Sequence, residues 1–539
     1  MASGATTDLR SHADKLIEKI KVAPPGSGYT VGATYSVPMA GLGVPVLGAS
    51  ETPLQQLKST LTLKPAQHQD TAPRGKKQGT KRKAASQDPP DESSSFEVFQ
   101  EDPATGRLHL PRYFGLSLFG VPQGEADTRT VGAPLGAEVR FTATLRQDPP
   151  QLDIVAAADR VLRSPLGGAM IKVGCGKGKT VCALAEVMAL GRRAAVLINN
   201  GKTLQPQWME RIQQFMPGAR VGVLRQKKAQ IDGYDIILCS IQSLMQRDYD
   251  QALMDTIGTV IVDEAHHIGA RVFSRCMRQF RARYTIGLSA TPKRKDGLGR
   301  FVTWMLGPIV VELPTTFHHV TVIQYTWKDT KVKTASHMSG DRERVQMVTN
   351  AIEDYPRAVV MLRLIQNCLA HAPGRTVLVL TERVKQVEYF ADWWQQQSVA
   401  SVAAGGREYI VARIHGTVSK EELQCATERA HIIVATYNMA NEALDIARID
   451  TLAFLTPPVG FIEQIVGRII RIHNTKMCPL VLDLRDPVGL FAGMANKRKA
   501  WYGVEHFLAV HCVELTTTIM DTLELFRTVV PSAIFTRLN

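Results

Sequence analysis

The sequence predicts an α/β protein: two tandem units, each a parallel sheet flanked by helices, with a small N-terminal accessory domain and a helical C-terminal extension. Three observations predict it. From Phe141 onward short apolar runs alternate with amphipathic stretches, the pattern of a parallel sheet covered on both faces. The pattern occurs twice, separated by an irregular stretch from Leu313 to Gly340. A chain of 539 residues is also too long for a single core.

Residues 1–53 are rich in Gly, Ala and Pro with weak periodicity and are expected to be poorly ordered. The accessory domain is expected at 54–135, with a strand-like run at Leu61 to Pro65 and a flexible basic loop at about 71–95. That loop holds Arg74, Lys76, Lys77, Lys81, Arg82 and Lys83, then Pro89, Pro90, Asp91 and Glu92. It reads equally as a solvated linker or as a phosphate-gripping arm or nuclear-import signal. Phe96 to Phe99 and Leu108 to Gly115 suggest strands and turns, with aromatic and basic side chains interleaved.

The first unit is placed at 136–313. Its Ile171 to Thr180 segment reads as a strand end, a glycine-rich loop and the first turn of a helix. The backbone N–H groups of such a loop, Gly176 and Gly178 among its glycines, can wrap phosphates. Lys179 then reaches the terminal phosphates and the Thr180 hydroxyl reaches Mg²⁺. Val173 stands where a strict match has glycine.

Further buried-strand runs follow at Ala194 to Ile198, Ile236 to Cys239, Val260 to Val262 and Thr285 to Leu288. In such a sheet ligands sit at the carboxyl ends of the strands. There Asp263 and Glu264 can divide labour, one holding Mg²⁺ through water and the other deprotonating an attacking water. Ser289 and Thr291 supply hydroxyls able to report a nucleotide's state. His266 and His267 have no third ligand at zinc-like spacing.

A connector is expected at 314–345, the second unit at 346–490 and the extension at 491–539. Strand runs recur at Thr376 to Leu380, Tyr409 to Arg413, Ile432 to Ala435 and Thr451 to Leu455. Trp393 and Trp394 read as core filler on a helix. Arg468 and Arg471, three apart, are expected to share a helix face and point into one cleft. Lys497 to Tyr502 reads as a terminal helix packed on the second unit.

The balance of 64 Lys+Arg against 50 Asp+Glu favours a polyanionic partner. No apolar run is long enough to span a bilayer, and the first ten residues lack a signal peptide's apolar core. Eight scattered cysteines without a C-x-x-C pair indicate neither zinc nor disulfides, and so a reducing, intracellular compartment.

In this order the motifs between Phe141 and Leu490 resemble those of a superfamily 2 helicase. The resemblance implies two RecA-like domains, ATP between them and nucleic acid across the top of both. It implies that Arg468 and Arg471 are arginine fingers, that Gln464 approaches the γ-phosphate and that Asp445 lies at the nucleotide. Leu145-Arg146 and Gln151 stand where such proteins read adenine, with Gln147 as the competing glutamine. Asn200 to Trp208, including Lys202, together with Gln242, Ser243, Thr381, His415 and Thr436, resemble backbone-gripping motifs. His266 joins Ser289 and Thr291 as a coupling residue.

Asp263 to His267, Ser289 to Leu298 and Gln464 to Arg471 look most like the DEAH-type branch of XPB and UvsW. Leu61 to Pro65, Phe96 to Phe99 and Leu110 to Gly115 resemble its members in large nucleocytoplasmic DNA viruses, including the poxvirus transcript-release helicase. The implied protein is a viral ATP- and Mg²⁺-dependent DNA helicase or translocase of transcription, replication or repair, working beside transcription or replication proteins in host cytoplasm, nucleus or virion. The alternatives are an RNA helicase or transcript-release ATPase, and a nucleotide-gated nucleic-acid-binding scaffold with weak turnover. Val173, and Ala443 where the family has glycine, suggest reduced rather than abolished turnover.

Overall fold

In the computed structural model the chain divides into two compact units, Met1–Pro314 and Thr315–Asn539. The structure describes all residues except 1–2, 25, 41, 44–50, 64–94, 148–149, 175, 200–203, 266–269, 290–298, 314–316, 318, 336–340, 417, 443–445, 459–461, 472, 474–475, 505–506 and 517–539. The basic loop therefore lies almost wholly outside the described residues.

The first unit is built on an eight-stranded sheet. In spatial order its strands are Lys228–Ala229, Val221–Arg225, Ile236–Ser240, Ala194–Ile198, Thr259–Val262, Tyr284–Ser289, Gly168–Val173 and Ile309–Leu313. All neighbours are parallel except the first pair. The central strands are buried on both faces, which is why they read as unbroken apolar runs. The second unit is a seven-stranded, all-parallel sheet in the order Val411–Ile414, Ile432–Thr436, Val377–Thr381, Thr451–Phe454, Leu480–Arg485, Thr321–Trp327 and Ala509–Leu515. These are two RecA-like domains with added N- and C-terminal elements. Trp394 is fully buried in the second core, as a core filler should be.

Several boundaries differ from expectation. The first 53 residues hold a helix, Ser3–Glu18, and the strands Thr30–Val31 and Tyr35–Pro38. Leu9 and Ala13 bury against the helix Gln151–Arg163, and Arg10–Asp153 and Arg160–Asp14 bridge the two helices. The Gly-, Ala- and Pro-rich surroundings masked this short apolar stripe, whose order comes from tertiary packing.

Arg112–Phe119 is a helix rather than strands and turns. The expected connector contributes Thr321–Trp327, an interior strand, and the expected helical extension contributes the helix Gly489–Val504 and then an edge strand, Ala509–Leu515. Each has seven residues, and it is pairing with partners far along the chain that makes them part of the sheet.

The N-terminal elements are not a separate body. Their antiparallel sheet runs Thr30–Val31, Tyr35–Pro38, Arg107–Leu110 and Gln100–Asp102, and its buried residues share one core with the first unit's large sheet. Arg112, fully buried, donates to the carbonyls of Ala282 (2.8 Å) and Phe280 (2.7 Å). Tyr113 shares a hydrogen bond with Thr285 and donates to Gly167 (3.3 Å). The Tyr113 ring occupies the space over Gly168, where an added Cβ would meet its Cζ at 2.2 Å. Gly168→Ala should therefore expel the tyrosine and destabilise the first unit by about 1–3 kcal/mol, read as a lower urea midpoint. A variant with an unchanged midpoint would contradict this packing.

Candidate nucleotide-binding site

The strand Gly168–Val173 lies between Tyr284–Ser289 and Ile309–Leu313, so the loop that follows is fixed on both sides. Val173 belongs to this strand and is fully buried, and the loop proper starts at Gly174, whose N–H donates to Leu313 O (3.0 Å). The missing glycine is thus absorbed by the sheet. Gly176 (φ 77°) and Gly178 (φ 84°) hold the left-handed backbone that lets the chain turn into the helix Lys179–Leu190. Thr180 is half-buried in its first turn.

Of the two glutamines, Gln151 is the one packed against the loop. Its side-chain oxygen accepts from Arg146 N (2.9 Å), and its amide nitrogen donates to Lys177 O (3.2 Å). A Cβ on residue 178 would come within 2.3 Å of that nitrogen. Gln147 is exposed. Arg146 itself reaches Gly176 O (3.4 Å).

The strand Thr259–Val262 delivers Asp263 and Glu264 beside this loop. Asp263 is buried, accepting at one oxygen from Trp208 Nε1 (2.9 Å) and at the other from Glu264 N (2.9 Å). Burial first, and then the Glu264 charge, push its carboxyl up to about 6, against the opposing pull of Lys179. Glu264 has φ 48°, a left-handed conformation that a non-glycine residue adopts only when its surroundings enforce it. The Lys179 ammonium lies 3.5 Å from Glu264 Oε1. A cation from the loop and two carboxylates from a strand tip thus meet at one point.

Trp208 was legible only as part of a backbone-gripping segment. Its indole supports Asp263 instead, from the helix Leu204–Phe215, and nothing in the sequence announces that pairing. Ser289 is buried and in register with Lys172 of the loop-bearing strand, one strand from Asp263. His266, Thr291, Lys202 and Asp445 lie outside the described residues.

Among the residues expected to grip nucleic acid, Gln242 is exposed and Thr436 is half-buried. Two others are turned inward. The Ser243 hydroxyl accepts from Gln226 N (2.8 Å), and the buried Thr381 hydroxyl donates to Gln386. The Thr381 bond closes the turn after its own strand, and the Ser243 bond holds the turn after the neighbouring strand Val221–Arg225, uses that a motif cannot reveal. His415 Nε2 is 2.5 Å from Glu388 Oε1.

The arginine segment also differs from expectation. The helix Ile462–Val466 ends before Gly467, and Arg468 and Arg471 occupy the turns beyond it rather than a common helix face. Gln464 is buried and both arginines are half-buried.

Two family models match the chain. That of the Type III restriction enzyme, res subunit, covers residues 146–294, the loop, Asp263 and Glu264 included, and that of the helicase conserved C-terminal domain covers 360–473. The chain is a superfamily 2 helicase. Three relatives of this helicase come from viruses. Acanthamoeba polyphaga mimivirus has "Putative ATP-dependent RNA helicase L396", 26% identical over 80% of this chain and 78% of its own. Escherichia phage T5 has "Probable helicase D10", 27% identical over 61% and 70%. African swine fever virus has "Putative ATP-dependent RNA helicase QP509L", 24% identical over 67% and 73%. The helicase is an ATP-dependent enzyme acting on nucleic acid. Among the described residues, no helix is long and apolar enough to cross a membrane, and no group of three or more His, Cys, Asp and Glu is placed to hold a metal ion.

Proposed function

We propose that this helicase hydrolyses ATP at the loop 174–180 to translocate along RNA. The observation that carries the reading is the approach of Lys179 and Glu264 to 3.5 Å beside buried Asp263. That arrangement fits a phosphate chain: Lys179 binds the β- and γ-phosphates, with the N–H groups of Gly176 and Gly178 around them. Gln151, hydrogen-bonded to the loop at Lys177 O, is the glutamine assigned to the base.

The Thr180 hydroxyl and the Asp263 carboxylate form an oxygen donor set suited to Mg²⁺ completed by water and phosphate. Held by these two groups, the cation would supply positive charge against the phosphates. Glu264 accepts the proton of the attacking water, and Arg468, Arg471 and Gln464 stabilise the charge that develops on the γ-phosphate. His266, Ser289 and Thr291 sense the change, and Gln242, His415 and Thr436 lie on the nucleic-acid path with Lys202.

Two relatives named as RNA helicases support RNA over the DNA expected from sequence. Sugar identity is not read by phosphate contacts, so the track is an experimental question. Steady-state ATP hydrolysis by wild type and Lys179→Ala should be compared alone and with single-stranded DNA, duplex DNA and RNA. RNA stimulation that disappears in Lys179→Ala is expected. Stimulation by DNA alone would move the assignment to a DNA translocase, and no stimulation in folded protein would favour the scaffold.

A further inference from the structure

We infer that Lys476 is a positioning residue for Arg471, its single ammonium tying the end of the arginine-bearing turn to the backbone at Ala447. Lys476 is 1% exposed. Its Nζ donates to Arg471 O at 2.7 Å and to Ala447 O at 3.0 Å. Arg471 closes the segment that begins with Gln464, and Ala447 follows the segment containing Asp445 by two residues. The ammonium thus joins the backbones of two stretches read as nucleotide-facing.

A lysine is a costly way merely to fill this space. A buried ammonium must give up its water, and a packed apolar side chain of similar length holds a core as well or better. The carboxylate beside it, Asp450, is already engaged by Arg375 Nη1 (3.3 Å), the Thr451 hydroxyl (2.7 Å) and Met477 N (3.3 Å). Among the described residues, the two carbonyls, not a carboxylate, are the groups within hydrogen-bond reach of Nζ. Burial pulls the Lys476 ammonium down to about 7, Asp450 opposing and the Arg471 charge adding to the fall. What lysine offers that methionine or leucine cannot is several donors radiating from one point. Those donors fix Arg471 Cα with respect to Ala447, leaving its guanidinium only side-chain freedom when phosphate charge develops.

The inference rests on the reading of Arg471 as a γ-phosphate group, and the experiment separates the two. Full-length Lys476→Met, Lys476→Arg, Arg471→Ala and Lys476→Met/Arg471→Ala are compared for ATPase stimulated by a homopolymeric RNA, with melting temperature recorded for each. Because misplacing a catalytic group by an ångström can cost on the order of a hundredfold, K476M is expected to lose about ten- to a hundredfold in kcat. KM for ATP should stay within about twofold and the melting temperature should hold, since no core volume is lost. K476R keeps donors at the carbonyls and should recover most of the turnover. In the Arg471→Ala background, K476M should cost nothing further. Wild-type kcat in K476M, or an undiminished loss in the Arg471→Ala background, would overturn the positioning role while leaving Arg471 assigned. Full turnover in Arg471→Ala would overturn the Arg471 assignment itself and the inference with it.

Discussion

Glu264→Gln should lower nucleic-acid-stimulated kcat by about 10²–10⁴-fold while ATP still binds. The substitution is nearly isosteric, so the left-handed backbone at Glu264 and the N–H donated to Asp263 persist. What disappears is a basic oxygen able to take a proton from water. Lys179, 3.5 Å away in the native site, loses an anionic neighbour but keeps its phosphate ligands, so nucleotide affinity should hold or rise. Removing the Glu264 charge also removes one of the causes that raise the Asp263 carboxyl, which stays ionised to lower pH for the cation. Fluorescent-nucleotide binding beside steady-state turnover checks both halves. A variant that turns over at the wild-type rate would assign the proton to another group.

The largest effect on stability is expected in the second unit. Arg357 and Asp486 are 1% and 0% exposed and pair at 2.8–3.0 Å, with the Arg357 guanidinium also donating to Leu455 O. Arg357→Ala leaves the carboxylate buried without its cation and creates a void. Breaking such a pair from one side costs about 3–5 kcal/mol. A urea titration should therefore show the second unit unfolding at a clearly lower midpoint, with the first unit's transition in place. Arg357→Met/Asp486→Leu, which removes both charges, should recover much of the loss. Equal midpoints for wild type and Arg357→Ala would show that water reaches Asp486.

How much was legible follows from how local each feature is. The phosphate loop, the carboxylates at the strand tip and the buried strands announce themselves within a few residues, because strand, turn and helix there obey local rules. Their placement on one sheet edge follows from the parallel topology. That Gln151 rather than Gln147 packs on the loop could not be read, since it depends on the bond to Lys177. Trp208 and Lys476 were invisible as site-supporting groups: an indole and an ammonium aimed at atoms far along the chain have no spacing rule. The inward turn of Ser243 and Thr381 shows the converse, motif positions whose hydroxyls hold turns of the sheet. Thr321–Trp327 and Ala509–Leu515 read as connector and extension because a strand's place in a sheet is decided by partners distant in sequence.

That last pairing governs how the protein can be made. Thr321–Trp327 leaves the ribosome long before either of its partners, Leu480–Arg485 and Ala509–Leu515, has been translated. Through that interval a strand rich in Val, Ile, Tyr and Trp stands with both edges unsatisfied, the condition under which nascent chains stick to one another. The first RecA-like unit can fold as it emerges, whereas the second can close its sheet only once Ala509–Leu515 has been made. A nonsense codon or proteolytic nick anywhere between 490 and 508 would spare every helicase motif and still leave the second sheet without its outer strand.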